Sequence, residues 1–241
     1  MDGKYIVQFE NVTHKYKSRT ALNTCNLGLE KGKIYGLIGP NGAGKTTMFR
    51  IISGLCKPTS GKLYLFGEEE KRDARKKMGF LIEHPYLDME MTAFQNMKYI
   101  ALLTGFQDDE RIEKLLHKVG LGDALKQRVK TFSLGMKQRL GIAIALLKEP
   151  KVLVLDEPMN GLDPEGIVAM RKLLRTLCDE KETTIIISSH ILLELERLAD
   201  EFILINQGTI VAQVDKIELS GGNALEKLYL EKMGDCYVDV G

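Results

Sequence analysis

Four residues in one short stretch carry the first chemical signal. In GPNGAGKTT (39–47), Gly39, Gly44, Lys45 and Thr46 fit the spacing G-x-x-x-x-G-K-[ST]. Glycines at such places let backbone N–H groups turn inward around a phosphate. Lys45 would reach the β- and γ-phosphates, and the Thr46 hydroxyl would supply part of a Mg²⁺ shell. A helix starting at Lys45 would add the partial positive charge of its N-terminus. A Gly-rich turn could spell the motif and bind nothing, but the flanks argue against that. KIYGLI (33–38) reads as a buried strand leading in, and residues 48–52 as an apolar helix leading out. The implied ligand is a nucleoside triphosphate with its metal ion.

A second group of residues supplies the acids such a site needs. Four apolar residues precede Asp156 and Glu157, which puts two carboxylates at the C-terminal edge of a sheet, where ligands bind in open α/β folds. Asp156 can hold Mg²⁺, usually through water, while Glu157 polarises an attacking water. His190 ends the next strand pattern, TTIIISS (183–189), and could contact the γ-phosphate or position that water. Tyr16 stands alone near a turn. Without a nucleotide site it would be an ordinary edge-strand residue; beside one, stacking on adenine is the better reading.

The elements that must position these groups follow from periodicity. Strand patterns fall at 5–10, 26–30, 33–38, 62–66, 78–83, 151–156, 183–189, 202–206 and 209–214. The last two flank Gln207–Gly208 as a hairpin. KVLVLD (151–156) is continuously apolar, the pattern of a parallel strand buried on both faces. Residues 68–77 (EEEKRDARKK) read as a solvated face and nothing more.

From 85 to 131 the character changes. Residues 93–104 and 111–119 have helical spacing, with Thr92 and Asp108 or Asp109 as N-caps and Gly105 and Gly120 as stops. Ser133 caps a further helix to about Lys148, and Pro164 opens another to about Glu180. Residues 191–199 and 223–233 complete the helices. Met89, Met91 and Met97 read first as core gap-fillers and second as part of an adaptable docking surface. The expected architecture is an α/β phosphate-loop core with a mainly parallel sheet, preceded by an antiparallel β subdomain and interrupted by a helical subdomain. As one domain over 1–241, the core would be 1–84 with 150–241, and the helical insertion 85–149.

Bulk composition narrows the class. The 241 residues carry a formal net charge of +1 with acids and bases evenly spread, which argues against a nucleic-acid surface. Four scattered cysteines without a C-x-x-C pair read as reduced thiols. The N-terminus, MDGKYIVQFE, lacks a signal-peptide pattern, and no run of 18 apolar residues exists. The expectation is a soluble cytosolic protein, unless a partner holds it to a surface.

Taken together, these motifs resemble the ATP-binding subunits of ABC transporters over nearly the whole chain. The resemblance implies that Gly39, Asn41, Gly42, Ala43, Gly44, Lys45, Thr46 and Thr47 form the phosphate loop and that Tyr16 stacks the adenine. It implies Thr46 and Asp156 at the metal, Glu157 as catalytic base and His190 as switch histidine. NGLD (160–163) matches the following loop, with Asp163 at the family's dimer contact. FSLGMKQRL (132–140) stands where the signature L-S-G-G-Q is found. There Ser133 and Gly135 would complete the ATP site of the opposite subunit in a head-to-tail dimer.

Three positions depart from the family pattern. Leu134 and Met136 replace a Gly and the Gln of the signature. Glu83 stands where the family places a Gln contacting Mg²⁺ and water; an ionised Glu cannot donate a hydrogen bond, and its negative charge should strengthen metal contact and weaken any direct γ-phosphate contact. Glu83 with S-L-G-M is similar to the bacitracin and lantibiotic self-protection branch. The resemblance therefore implies a dimeric Mg²⁺-ATPase on the inner face of the cell membrane. Its partner would be a separate permease, exporting a peptide-like antimicrobial. The competing reading is a soluble ABC-type ATPase of DNA repair, translation or cofactor assembly. Those relatives add coiled-coil arms, a second cassette or a basic surface, and none is present here. A module that retains ATP without turnover is disfavoured by the intact Lys45, Asp156, Glu157 and His190.

Overall fold

The computed structural model describes residues 4–69, 72–219 and 223–234. Two long strands open it, β1 (Tyr5–Tyr16) and β2 (Arg19–Glu30), followed by β3 (Ile34–Ile38) and α1 (Lys45–Ser53). Then come β4 (Ser60–Leu65), β5 (Glu68–Glu69) and β6 (Met78–Leu81). Three helices follow: α2 (Ala93–Leu103), α3 (Asp109–Lys118) and α4 (Leu134–Ala145). The chain returns through β7 (Val152–Leu155), α5 (Pro164–Lys181), β8 (Thr184–Ser188) and α6 (Leu192–Leu198). It finishes with β9 (Glu201–Asn206), β10 (Thr209–Asp215) and α7 (Ala224–Met233).

These strands form two sheets. One is antiparallel, in the order β2-β1-β4-β5; the other runs β10-β9-β3-β8-β7-β6. In the second, β9, β3, β8, β7 and β6 are parallel and β10 is an antiparallel edge. Every residue of β3, β7 and β8 is buried, as expected where both faces are covered. Alternation along each strand then divides the core in two. Tyr35, Leu37, Val152, Val154 and Ile186 face α1 and the antiparallel sheet, in one cluster with Phe9, Leu29, Phe49 and Ile52. Ile34, Ile38, Leu153, Leu155 and Ile187 face the helices, in a second cluster with Met97, Leu116, Leu140 and Leu174.

Local signals account for the helix starts. Thr92 and Gln95 form a reciprocal capping box on α2. Asp108, and not Asp109, caps α3, while Ser133 caps α4 and Asp163 caps α5 with Pro164 behind it.

Several expectations need correction. β1 and β2 are each 12 residues long, far beyond 5–10 and 26–30. Asn11 and Thr24 take left-handed φ of 49° and 50° near register shifts in this pair, and the bulges break the alternation that would reveal the strands. β6 stops at Leu81, and α4 at Ala145, short of the expected Lys148. Within the 68–77 charge run, Glu68–Glu69 pairs with β4. Arg75 donates to the carbonyls of Ile51 and Ile52, satisfying the open end of α1. Met97 is fully buried, but Met89 is exposed. Cys25, Cys56 and Cys178 are free thiols; Cys236 lies outside the described residues. Among the described residues, no helix is long and apolar enough to cross a membrane.

Candidate nucleotide site

Because β3, β7 and β8 are parallel neighbours, the segments leaving their C-terminal ends meet at one sheet edge. β3 runs into the phosphate loop, β7 into Asp156–Glu157, and β8 towards His190. A cleft of about 610 Å³ opens there. Asn41, Gly42, Ala43, Gly44, Lys45, Thr46 and Thr47 line it, with Tyr16, Glu83, Asp156 and Glu157.

Two glycines of the loop stand where a side chain has no room. A Cβ on Gly39 would sit 2.2 Å from the Ile205 carbonyl oxygen. Gly44 has φ 116°, and a Cβ there would meet the Ala21 carbonyl oxygen at 2.7 Å. Gly44 is also the N-cap of α1 and offers no side-chain acceptor. The first-turn N–H groups of α1, which have no partner inside the helix, therefore face a cleft that suits an anion. Lys45 is buried, with Nζ donating to the carbonyls of Gly39 (2.6 Å) and Pro40 (3.2 Å). Burial lowers its pKa, against the opposing pull of Glu157 and Asp156.

The acids sit in different settings. Asp156 is buried; its Oδ2 accepts from the Thr46 hydroxyl at 3.0 Å and its Oδ1 from Ser188 Oγ at 2.6 Å. A hydroxyl beside one fixed carboxylate fits Mg²⁺, which is held by few protein oxygens and keeps waters and substrate phosphates as its other ligands. Glu157 adopts φ 48°, a left-handed conformation unusual for a non-glycine residue. Its N–H donates to Ser188 Oγ (2.9 Å), and its carbonyl accepts from Gln138 Nε2 (3.1 Å). Its Oε2 accepts from Asn160 Nδ2 at 2.6 Å and lies 2.8 Å from His190 Nδ1. Burial by itself would raise the Glu157 pKa, but Asn160, His190 and Lys45 together hold it below the usual carboxylate range.

Not every expected residue comes into the cleft in the same way. Tyr16 is on its rim, edge-to-face with His14 at 4.5 Å. Glu83, with φ 61°, gives its carboxylate to Arg50 in a close ion pair. Ser133 and Gly135 do not line this chain's cleft; Leu134 and Gln138 of the same helix do. Ser133 accepts from the Met136 N–H at 3.2 Å, and a Cβ on Gly135 would sit 2.7 Å from the Gly161 carbonyl oxygen.

Sequence reasoning gave no role to Arg50, Gln138, Asn160 or Ser188. Ser188 carried a readable signal, as a hydroxyl near the end of a strand expected beside the site, and Asn160 opened the NGLD motif without being given a role of its own.

The ABC transporter family pattern matches residues 22–160, more than half of the chain. The chain belongs to the ABC transporter family. Among curated proteins, this ABC ATPase is 46% identical to a lantibiotic transport ATP-binding protein of Streptococcus pyogenes, over 93% of this chain and 96% of that one. A bacitracin transport ATP-binding protein of Enterococcus faecalis is 43% identical over 91% of this chain and 72% of that protein. Among solved structures, an ATP-binding subunit of an ABC transporter superposes with a TM-score of 0.84 at 29% identity, covering 95% and 99% of the two chains. A dimeric ATP-binding cassette in a post-hydrolysis state with ADP and Pi superposes at 0.81 and 26% identity, covering 90% of this chain and 100% of that one. The protein is thus an ATP-binding, ATP-hydrolysing subunit of an ABC transporter, similar to the lantibiotic and bacitracin branch.

Proposed function

We propose that this ABC ATPase hydrolyses ATP with Mg²⁺ at sites shared between two chains, and that the cycle powers a separate membrane permease exporting a peptide antibiotic. One observation carries the catalytic half: the Glu157 carboxylate is kept ionised and aimed by Asn160 and His190 in the cleft that also holds Lys45 and Asp156. Thr46 and Asp156 would hold Mg²⁺, whose chemistry is to neutralise phosphate charge as it develops. Lys45 offers its ammonium to the β/γ-phosphates, Tyr16 its ring to adenine, and Glu157 takes a proton from the attacking water. Glu83 joins the metal side once Arg50 releases it.

In the dimer, Ser133 and Gly135 reach the ATP held by the other chain, consistent with their place outside their own cleft. The chain acts as one ATP-binding domain, with 1–84 and 150–241 as core and 85–149 as the helical subdomain carrying the signature helix. An apolar groove lined by Leu55, Phe80, Tyr86, Ile100 and Ile144 offers the permease a landing place; Leu55 is 70% and Tyr86 98% exposed. The subunit would then sit on the cytoplasmic face of the membrane. The peptide-antibiotic substrate rests on the two transport relatives above.

Replacing Glu157 with Gln keeps the shape and removes the base. ATP should still bind while hydrolysis falls roughly 10²–10⁴-fold. Near-normal turnover would remove Glu157 from the mechanism.

A further inference from the structure

A second cavity, of about 500 Å³, lies at the other edge of the parallel sheet, where β7 and β8 begin. Asp156 and His190 follow the far ends of those strands, so roughly 15 Å of strand separates the two sites. This cavity is cationic. Arg111, Lys114 and Lys118 present from one face of α3, while Lys151 precedes β7 and Lys181 ends α5. Among the described residues lining it, Glu149 is the one acid, giving a formal +4 in a chain whose total is +1.

The ordinary reasons for such charges cover only part of the set. Lys118 and Lys181 stand in the last turns of α3 and α5, where a cation suits the helix dipole. Arg111 is in the first turn of α3, where the same dipole disfavours it. Glu149, at a left-handed φ of 49°, takes both Arg111 (3.4 Å) and Lys181 (3.1 Å) and is held ionised by Lys181, Arg111 and Lys151. One carboxylate in the lining thus serves several cations, while Lys114 pairs with Glu110 on its own helix at 2.5 Å. Among the described residues, Lys118 and Lys151 make no ion pair of their own. Beneath the charges the floor is apolar: Leu146 and Leu177 are buried and Leu115 is half-buried.

We propose that this cavity is a second ligand site, for an organic phosphate carrying at least two negative charges on a small apolar body. The volume suits a small molecule, Arg111, Lys118, Lys151 and Lys181 line it with groups that bind phosphate, and the leucine floor takes the apolar part. Such a ligand would bridge α3 and the core without touching the ATP cleft.

The test uses 1-naphthyl phosphate, dianionic at about pH 8, followed by its fluorescence anisotropy at low salt with ADP saturating the first site. Saturable binding is expected, weaker by about tenfold (about 1.4 kcal/mol) in a Lys118→Glu/Lys151→Glu variant. ATPase activity in that variant should stay near the parent's. The neutralising pair Lys118→Gln/Lys151→Gln should show an intermediate loss, which separates charge from misfolding. Inorganic phosphate should bind markedly less well. Absence of binding, or equal affinity in the charge-reversed variant, would overturn the site. Equal affinity for inorganic phosphate would overturn its apolar half.

Discussion

Glu157 is pulled two ways, and the outcome sets how the enzyme should respond to acid. Burial favours the neutral acid; the Asn160 amide, His190 and Lys45 favour the carboxylate, and they prevail. A folded pKa below the unfolded value adds stability that is fully present above the unfolded value and is lost as pH falls through the folded one. The same shift keeps the proposed base ionised through the neutral range. Asn160→Ala removes one of the holding hydrogen bonds, so the acid limb of the pH–kcat profile should move to higher pH. A limb that stays in place would show that Asn160 does not tune the base. Arg50 offers a second residue-scale test, because its guanidinium neutralises Glu83. Both side chains are more than one-third exposed, so the pair is a weak one, about 0.5–1 kcal/mol. In Arg50→Ala the freed carboxylate should lower the Mg²⁺ concentration for half-maximal nucleotide binding about two- to fivefold. A higher Mg²⁺ requirement would argue against Glu83 as a metal contact.

Elements translate these residues into position, and their tolerances differ. Gly39→Ala forces a Cβ into the Ile205 carbonyl at the hinge of β3 and the phosphate loop. It should cost about 1–3 kcal/mol and weaken ATP binding, measurable by thermal melting and nucleotide titration. Ser133→Ala removes only a helix cap from an isolated chain, about 1 kcal/mol. What could be read from the sequence follows the same division. The phosphate loop, the buried strands β7 and β8, and the caps Thr92 and Ser133 declare themselves because one local pattern suffices for each. The full lengths of β1 and β2 were hidden because bulges at Asn11 and Thr24 shift the alternation. Arg75 on the end of α1, Arg50 on Glu83 and Gln138 on the Glu157 carbonyl were hidden for another reason. Each joins segments distant in the chain, and no local spacing encodes such a meeting.

At the scale of the whole molecule, the proposed function has two chains build each active site. Within one chain the cleft supplies the phosphate loop, the proposed metal ligands Thr46 and Asp156 and the proposed base Glu157, but Ser133 and Gly135 stay outside it. A second chain, turned head to tail, would bring them to the ATP. The most direct measurement is therefore ATPase activity in a mixture of two inactive variants. Lys45→Ala destroys the phosphate loop and keeps the signature helix; Ser133→Arg keeps the loop and blocks the helix. A mixed dimer holds one complete site of two. Equal mixing should restore about a quarter of wild-type turnover, since about half of the dimers are mixed. If the mixture stays as inactive as either variant alone, while each still folds and Ser133→Arg still binds ATP, the shared site is contradicted.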